Sequence, residues 1–160
     1  MNVRAARHED TEVVAGLLDE ATRWVGERGF EQWPLPFPRA EITEAIARGE
    51  VFVAEHDGEA VATVTILTED PQYWGTRPPD ALYVHKLAVA RAHAGRGFGT
   101  KVIGWADSRA ASLGRRFLRL DCLGDSAGIR AYYERLGFEH RGDLVRANRN
   151  MCIYERPVRV

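Results

Sequence analysis

The stretch Ala94-Gly95-Arg96-Gly97-Phe98-Gly99-Thr100 has the composition of an anion site. Gly95, Gly97 and Gly99 surround the start of an apolar series at Phe98, Val102, Ile103 and Ala106 with helical spacing. The first N–H groups of a helix lack intrahelical partners, and the helix dipole adds partial positive charge there. Glycines let a diphosphate approach the backbone, and Arg91 and Arg96 offer countercharge. Two known phosphate loops do not fit. A P-loop ends Gly-Lys-Ser/Thr, whereas this chain reads Gly99-Thr100-Lys101; a dinucleotide fingerprint needs a glycine where Thr100 stands. One further group could move protons, the imidazole of His85.

The loop follows Leu82 to Val89, an apolar run rich enough in Tyr and Val to be a buried strand. Strand ending Leu87-Ala88-Val89, then Ala94-Gly95-Arg96-Gly97-Phe98-Gly99, resembles the acyl-coenzyme A loop Q/R-x-x-G-x-G/A of the GNAT superfamily of N-acetyltransferases. Ala94 departs from the usual Gln or Arg. Ser126 to Phe138, SAGIRAYYERLGF, resembles that superfamily's second signature through Ile129, Tyr132, Tyr133, Gly137 and Phe138, with Ser126 in place of Asn. Gly29-Phe30-Glu31-Gln32-Trp33-Pro34 resembles a stretch from a sub-branch of unassigned substrate.

The resemblance implies acetyl transfer from acetyl-CoA to a primary amine of a small molecule or peptide. The N–H groups of residues 94 to 99, with Thr100, would take the diphosphate. Leu87, Ala88 and Val89 would pair with the pantetheine arm as an added strand, and an N–H near Leu87 would meet the oxyanion. Ser126 would cap its helix or bond the coenzyme arm. Tyr133 would protonate the departing thiolate, while Tyr132 is read as core. Period-two alternation puts Tyr83, His85, Leu87 and Val89 on one side of the strand, which makes His85, with an ordinary pKa near neutrality, a candidate base. Trp33, Gln32, Tyr83 and Trp74 are candidates for holding the acceptor, by cation–π contact and polar bonding; the plain alternative is that these aromatics staple loops to the core. A different class of function, a CoA-binding sensor or assembly module with little catalysis, rests on Ala94 and Ser126.

Composition and the order of elements suit that reading. The chain has 160 residues, 45% hydrophobic and 28% charged, with a net charge of -1. One domain spanning 1–160 is expected. There is no basic surplus for sequence-independent nucleic-acid binding, and no apolar run approaches a membrane span, so a cytoplasmic location is expected. The five histidines show no metal-ligand spacing, so no metal is expected. Cys122 and Cys152 are distant in sequence and read as reduced core thiols. A two-fold homodimer is the default for a soluble oligomer.

The expected elements are a strand at 2–6, helices near 9–27 and 39–48, and a hairpin of 51–55 and 60–67 about Asp57-Gly58. An aromatic loop occupies 30–38, and a polar loop 68–80. After the central strand come a helix to about Leu113, a strand at 117–121, a helix at 127–136, and strands at 138–142 and 151–156 joined by a polar connection over 143–150. That order gives an α/β (α+β) mixed sheet flanked by helices, the order also implied by a GNAT-like acyl-CoA N-acyltransferase fold.

Overall fold

The computed structural model describes residues 1–160. Its strands are β1 (Asn2–Ala5), β2 (Val51–His56), β3 (Glu59–Leu67), β4 (Ala81–Val89), β5 (Phe117–Leu123), β6 (Glu139–Arg146) and β7 (Arg149–Pro157). Its helices are α1 (Thr11–Gly26), α2 (Arg39–Ala47), the single turn α3 (Pro71–Trp74), α4 (Phe98–Ser112) and α5 (Ala127–Arg135). The strands form a seven-stranded mixed sheet in the order β1-β2-β3-β4-β5-β7-β6. Of the pairings described below, β4 with β5 is parallel. No helix is long and apolar enough to cross a membrane.

Two compact units make up the chain: Met1–Ile66 with Lys86–Ile103, and Leu67–His85 with Gly104–Val160. In the first unit β1, β2 and β3 are antiparallel neighbours, with Asp57 and Gly58 both at positive φ in the β2–β3 turn. Alternation of apolar residues along α1 buries Val14, Ala15 and Leu18, which pack with Phe37, Ile42 and Val53. The proline-containing loop before α2 is tied to α1 by Asp19, which is 5% exposed. Its Oδ1 accepts the Phe37 N–H at 2.8 Å, and its Oδ2 accepts Arg39 Nη1 at 3.1 Å.

In the second unit Ala81–Val84 of β4 pair in register with Phe117–Leu120 of β5, and β5 and β6 flank β7 antiparallel. The expected polar connection over 143–150 is instead strand. β6 and β7 meet at a two-residue turn, Ala147 and Asn148, both at positive φ (50° and 59°), the geometry that matches the twist of a tight hairpin. The polar residues of this segment are the solvent side of a ladder, so their polarity does not mark a loop.

Two buried arginines and one largely buried histidine sit on this unit's strands, and each is met by carboxylate. Arg119 on β5 donates to Glu155 Oε2 at 2.7 Å, to Asp80 Oδ1 at 3.2 Å and to Tyr83 Oη at 2.9 Å. Arg156 on β7 donates to Asp107 Oδ2 at 2.5 Å and to the Leu136 carbonyl at 3.1 Å. The third is His85, described below. Burial, and to a lesser degree the Arg159 charge, lowers the pKa of Arg156, and Asp107 opposes that.

Asp107→Ala leaves the Arg156 guanidinium buried without its counter-ion. It is expected to destabilise the fold by about 3–5 kcal/mol, read by urea denaturation. The double substitution Asp107→Ala with Arg156→Met is expected to cost less than the single one, because both charges leave together.

Candidate functional site

The glycine loop lies in the first unit. Gly95 and Gly97 both take left-handed φ (75° and 77°), a conformation costly for other residues. A Cβ built on either glycine would meet nothing within 4 Å, so the backbone faces open space. Ala94 to Gly97 are exposed, and α4 begins at Phe98. The first backbone bond of that helix runs from Lys101 N–H to the Gly97 carbonyl at 3.0 Å. The N–H groups of Phe98, Gly99 and Thr100 are therefore the unpaired end of α4. The Phe98 ring is buried beneath, edge-on to His93 at 5.7 Å and tilted against His56 at 5.1 Å.

Two expectations at this loop are corrected. Ala94 N–H donates to the Arg91 carbonyl at 3.1 Å, so the turn that starts the loop consumes it. The donors available to an anion start at Gly95, not at 94. Arg91 turns to α1: its N–H donates to Glu20 Oε2 at 2.9 Å, and its guanidinium lies 4.0 Å from the Trp24 ring centroid. Arg96 remains beside the loop, 2.9 Å from His93 Nδ1. Leu87, Ala88 and Val89 close β4 in this unit; Ala88 is buried in the apolar cluster with Val53, and its neighbours are half-buried.

His85 lies in the second unit, near the middle of β4, between two carboxylates from different segments. Its Nε2 is 3.0 Å from Asp70 Oδ2 and its Nδ1 is 3.1 Å from Asp121 Oδ1. Both are ion-pair contacts in which the ring N–H directions miss the oxygens, since Asp70 Oδ2, His85 Nε2 and Asp121 Oδ1 are all buried without a directed hydrogen bond. Burial pulls the imidazole pKa down; Asp121 and then Asp70 outweigh it and raise the pKa to about 9. The premise of an ordinary imidazole near neutrality therefore fails: at pH 7 this ring is an imidazolium. The Tyr73 ring stands 6.2 Å from it. Asp70 lies on the connection before β4 and Asp121 on β5, so both carboxylates are distant in sequence from the ring they meet. Nothing in their local spacing could have revealed either role, because the contact is made only when α3 and β5 meet β4 within this unit.

The alternation argument for His85 also fails locally. Lys86, the next residue, has φ 50°, so counting by two does not carry from His85 to Leu87 and Val89. Before that break the alternation holds: Tyr83 pairs in register with Arg119, two residues before Asp121.

Tyr132, expected to be core, is the less buried of the two neighbouring tyrosines on α5. Tyr133 is buried, edge-on to Phe138 at 5.8 Å and to Tyr132 at 5.1 Å, while Tyr132 is half-buried. Burial pushes the Tyr133 phenol well above its ordinary pKa, so it stays protonated. Ser126 caps α5, its Oγ accepting the Ile129 N–H at 3.4 Å.

The four acceptor candidates do not form one cluster within either unit. Tyr83 and Trp74 pack together in the second unit, 2% and 5% exposed, with ring centroids 6.1 Å apart. Arg119 donates to the Tyr83 hydroxyl, so these two rings are core rather than pocket wall. Trp33 is half-buried in the first unit against the α1–α2 cluster, and Gln32 precedes it in the same loop.

Comparison with known proteins gives this geometry its family. The Acetyltransferase (GNAT) family profile matches residues 17–138. The chain is 34% identical over 145 residues to a Bacillus subtilis protein named uncharacterized N-acetyltransferase YesJ, covering 86% of this chain and 81% of that one. A GNAT-family acetyltransferase from Listeria monocytogenes has a similar structure, with a TM-score of 0.80 and 26% identity over 98% of this chain and 94% of that one. At 14% identity, which speaks to the fold alone, yncA from Salmonella typhimurium, a putative acetyltransferase solved with its cofactor acetyl-CoA, superposes with a TM-score of 0.73 over 100% of this chain and 95% of that one. The glycine turn entering α4, the mixed sheet and these relatives agree: the chain belongs to the GNAT family of acetyltransferases.

Proposed function

We propose that this chain transfers an acetyl group from acetyl-CoA to the primary amine of a small molecule or peptide. The observation that carries the reading is the loop from Gly95 to Gly99: two left-handed glycines, open space in front of them, and the unpaired N–H groups of a fifteen-residue helix behind. On this reading those N–H groups hold the diphosphate, with Arg96 as countercharge. The backbone of Leu87 to Val89 pairs with the pantetheine amides, and the Leu87 N–H meets the carbonyl oxygen as it becomes an oxyanion.

The chemistry is an addition followed by an elimination. The neutral amine attacks the thioester carbon, the C–S bond breaks, and the thiolate takes a proton. Tyr133 is the proposed donor, and burial favours it by keeping the phenol protonated. The proton lost by the amine goes to His85, the proposed acceptor. Because Asp70 and Asp121 hold the imidazole charged until about pH 9, only its deprotonated fraction works, and activity belongs to the alkaline side. The engaged Ala94 N–H and the charged His85 favour one second reading, a CoA-binding module with little turnover. Release of free thiol from acetyl-CoA across a panel of amines separates the two.

Calorimetry is expected to show acetyl-CoA binding, with Gly97→Ala weakening it by about tenfold. The loop would relax away from a conformation that costs an alanine ~1–2 kcal/mol; no heat and no thermal shift at millimolar acetyl-CoA would overturn the reading. With an acceptor of low basicity, kcat/KM is expected to rise with pH along a limb centred at about 9, and His85→Gln is expected to abolish that limb. An unchanged profile in the variant removes His85 from proton transfer.

The same ring gives a stability prediction. Its pKa in the fold is raised from 6.5 to about 9, so the fold binds the proton more tightly than the unfolded chain does. That stabilisation is complete below pH 6.5 and is lost as pH rises to about 9. The melting-temperature advantage of the wild-type chain over His85→Gln is expected to shrink across that window.

A further inference from the structure

On the side of the β5–β7–β6 ladder away from His85, the side chains of His140, Asp143 and Cys152 bring three metal-binding atoms together. Cys122 on β5 is the register partner of Cys152 on β7, and Cys152 is the register partner of Asp143 on β6. Residues directly opposite in a sheet point to the same side. The two cysteines, distant in sequence, are thus cross-strand neighbours. A register shift between His140 and Gly142 places one extra residue in β6. That bulge brings His140, opposite Tyr154, to the same side as Asp143, although three positions separate them.

The atoms converge on one oxygen. Asp143 Oδ1 lies 2.8 Å from His140 Nε2 and accepts from Cys152 Sγ at 3.2 Å, and all three atoms lie within 4.8 Å of one another. We propose that His140, Asp143 and Cys152 form a binding site for a thiophilic divalent cation of the zinc type. Tetrahedral zinc with bonds of about 2.0–2.3 Å sets its ligand atoms roughly 3.3–3.6 Å apart. Reaching that spacing requires the His140 and Asp143 side chains to move apart, and both residues are exposed on the hairpin. A nitrogen, an oxygen and a sulfur form a donor set that suits zinc and leaves a fourth position for water. Binding exchanges protons for the metal: the Cys152 thiol gives up its proton to solvent, and a His140–Asp143 contact becomes two metal bonds.

Neighbouring groups already orient the ligands. The His140 ring sits edge-on to Tyr154 at 5.6 Å, and the Tyr154 hydroxyl donates to Glu134 Oε1 and accepts from Arg130 Nε, each at 2.9 Å. Asp70, His85 and Asp121 also bring three donor atoms together. There the carboxylates address opposite ring nitrogens, the arrangement of an ion-paired imidazolium; one metal would take a single ring nitrogen.

The test uses the full chain, stripped of metal and kept reduced by a phosphine, titrated with Co²⁺ and followed by absorption. The expected result is one equivalent bound, with intense tetrahedral ligand-field bands and a thiolate-to-cobalt charge-transfer band, both erased by Zn²⁺. His140→Gln and Asp143→Asn, at exposed positions that the fold tolerates, are each expected to weaken binding by about tenfold or more. Cys152→Ser is expected to remove the charge-transfer band. The proposal is overturned if the wild-type chain binds no Co²⁺, if it binds without the charge-transfer band, or if both surface variants bind as the wild type does. Acetyl transfer has no part in the readout, so this inference stands or falls apart from the proposed function.

Discussion

A cation carried into the interior on a strand must find carboxylate there, because the cost of stripping its water is otherwise unrecovered. In the second unit this constraint recurs at His85, Arg119 and Arg156. The carboxylates come from other segments: Asp70 and Asp80 from the connection between β3 and β4, Asp121 from β5, Glu155 from β7, Asp107 from α4. That connection has a single helical turn of regular structure, yet it is pinned near each end by a cation on the sheet. Its aromatic residue Trp74 then packs on Tyr83 between those pins. Charge pairing thus does for this loop what backbone hydrogen bonding does for the strands.

The first unit solves its loop problem differently. The aromatic loop before α2 buries Phe37, and the Phe37 N–H is met by a single buried carboxylate, Asp19. The segment leading into the glycine loop has a comparable contact, where the Arg91 N–H meets the Glu20 carboxylate. The loop is held by what flanks it: Ala90 N–H bonds the Val61 carbonyl at 2.8 Å, and the buried Phe98 starts the helix on the other side. A loop fixed at both ends, with its middle glycines exposed, presents N–H groups without having to order them on binding, which lowers the entropic cost of taking a ligand.

Elements with a local cause were legible in the sequence. The α1 periodicity, the Asp57-Gly58 hairpin and the glycine turn into α4 each declare themselves within about a dozen residues. The β6–β7 turn escaped because its left-handed positions are Ala147 and Asn148, with no glycine to mark them. Apart from the Ala94 N–H, which is taken by Arg91 three residues back, the residues whose surroundings were misjudged have distant partners. Arg91 and Glu20 are 71 positions apart, and Cys122 meets Cys152 only through strand register. His85 showed its residue type but not its charge, since that is set by Asp70 and Asp121, neither of which any spacing rule connects to it.

Lys86 shows how a single backbone angle limits such reading. An L residue with a side chain at φ 50° carries strain of about 1–3 kcal/mol, which persists only where the surroundings hold it. On one side of it, Tyr83 and His85 obey the strand period and meet cation and carboxylate partners on β5. On the other, Ala88 is the buried residue, and Leu87 and Val89 are half-buried. A strict alternation through Ala81–Val89 would have tied the imidazole to the face of Leu87 and Val89. The left-handed turn frees the two halves from that rule, so one half can serve an ion-paired ring while the other follows the apolar packing around Val53. The strain at Lys86 is therefore the condition under which one strand can satisfy two different environments.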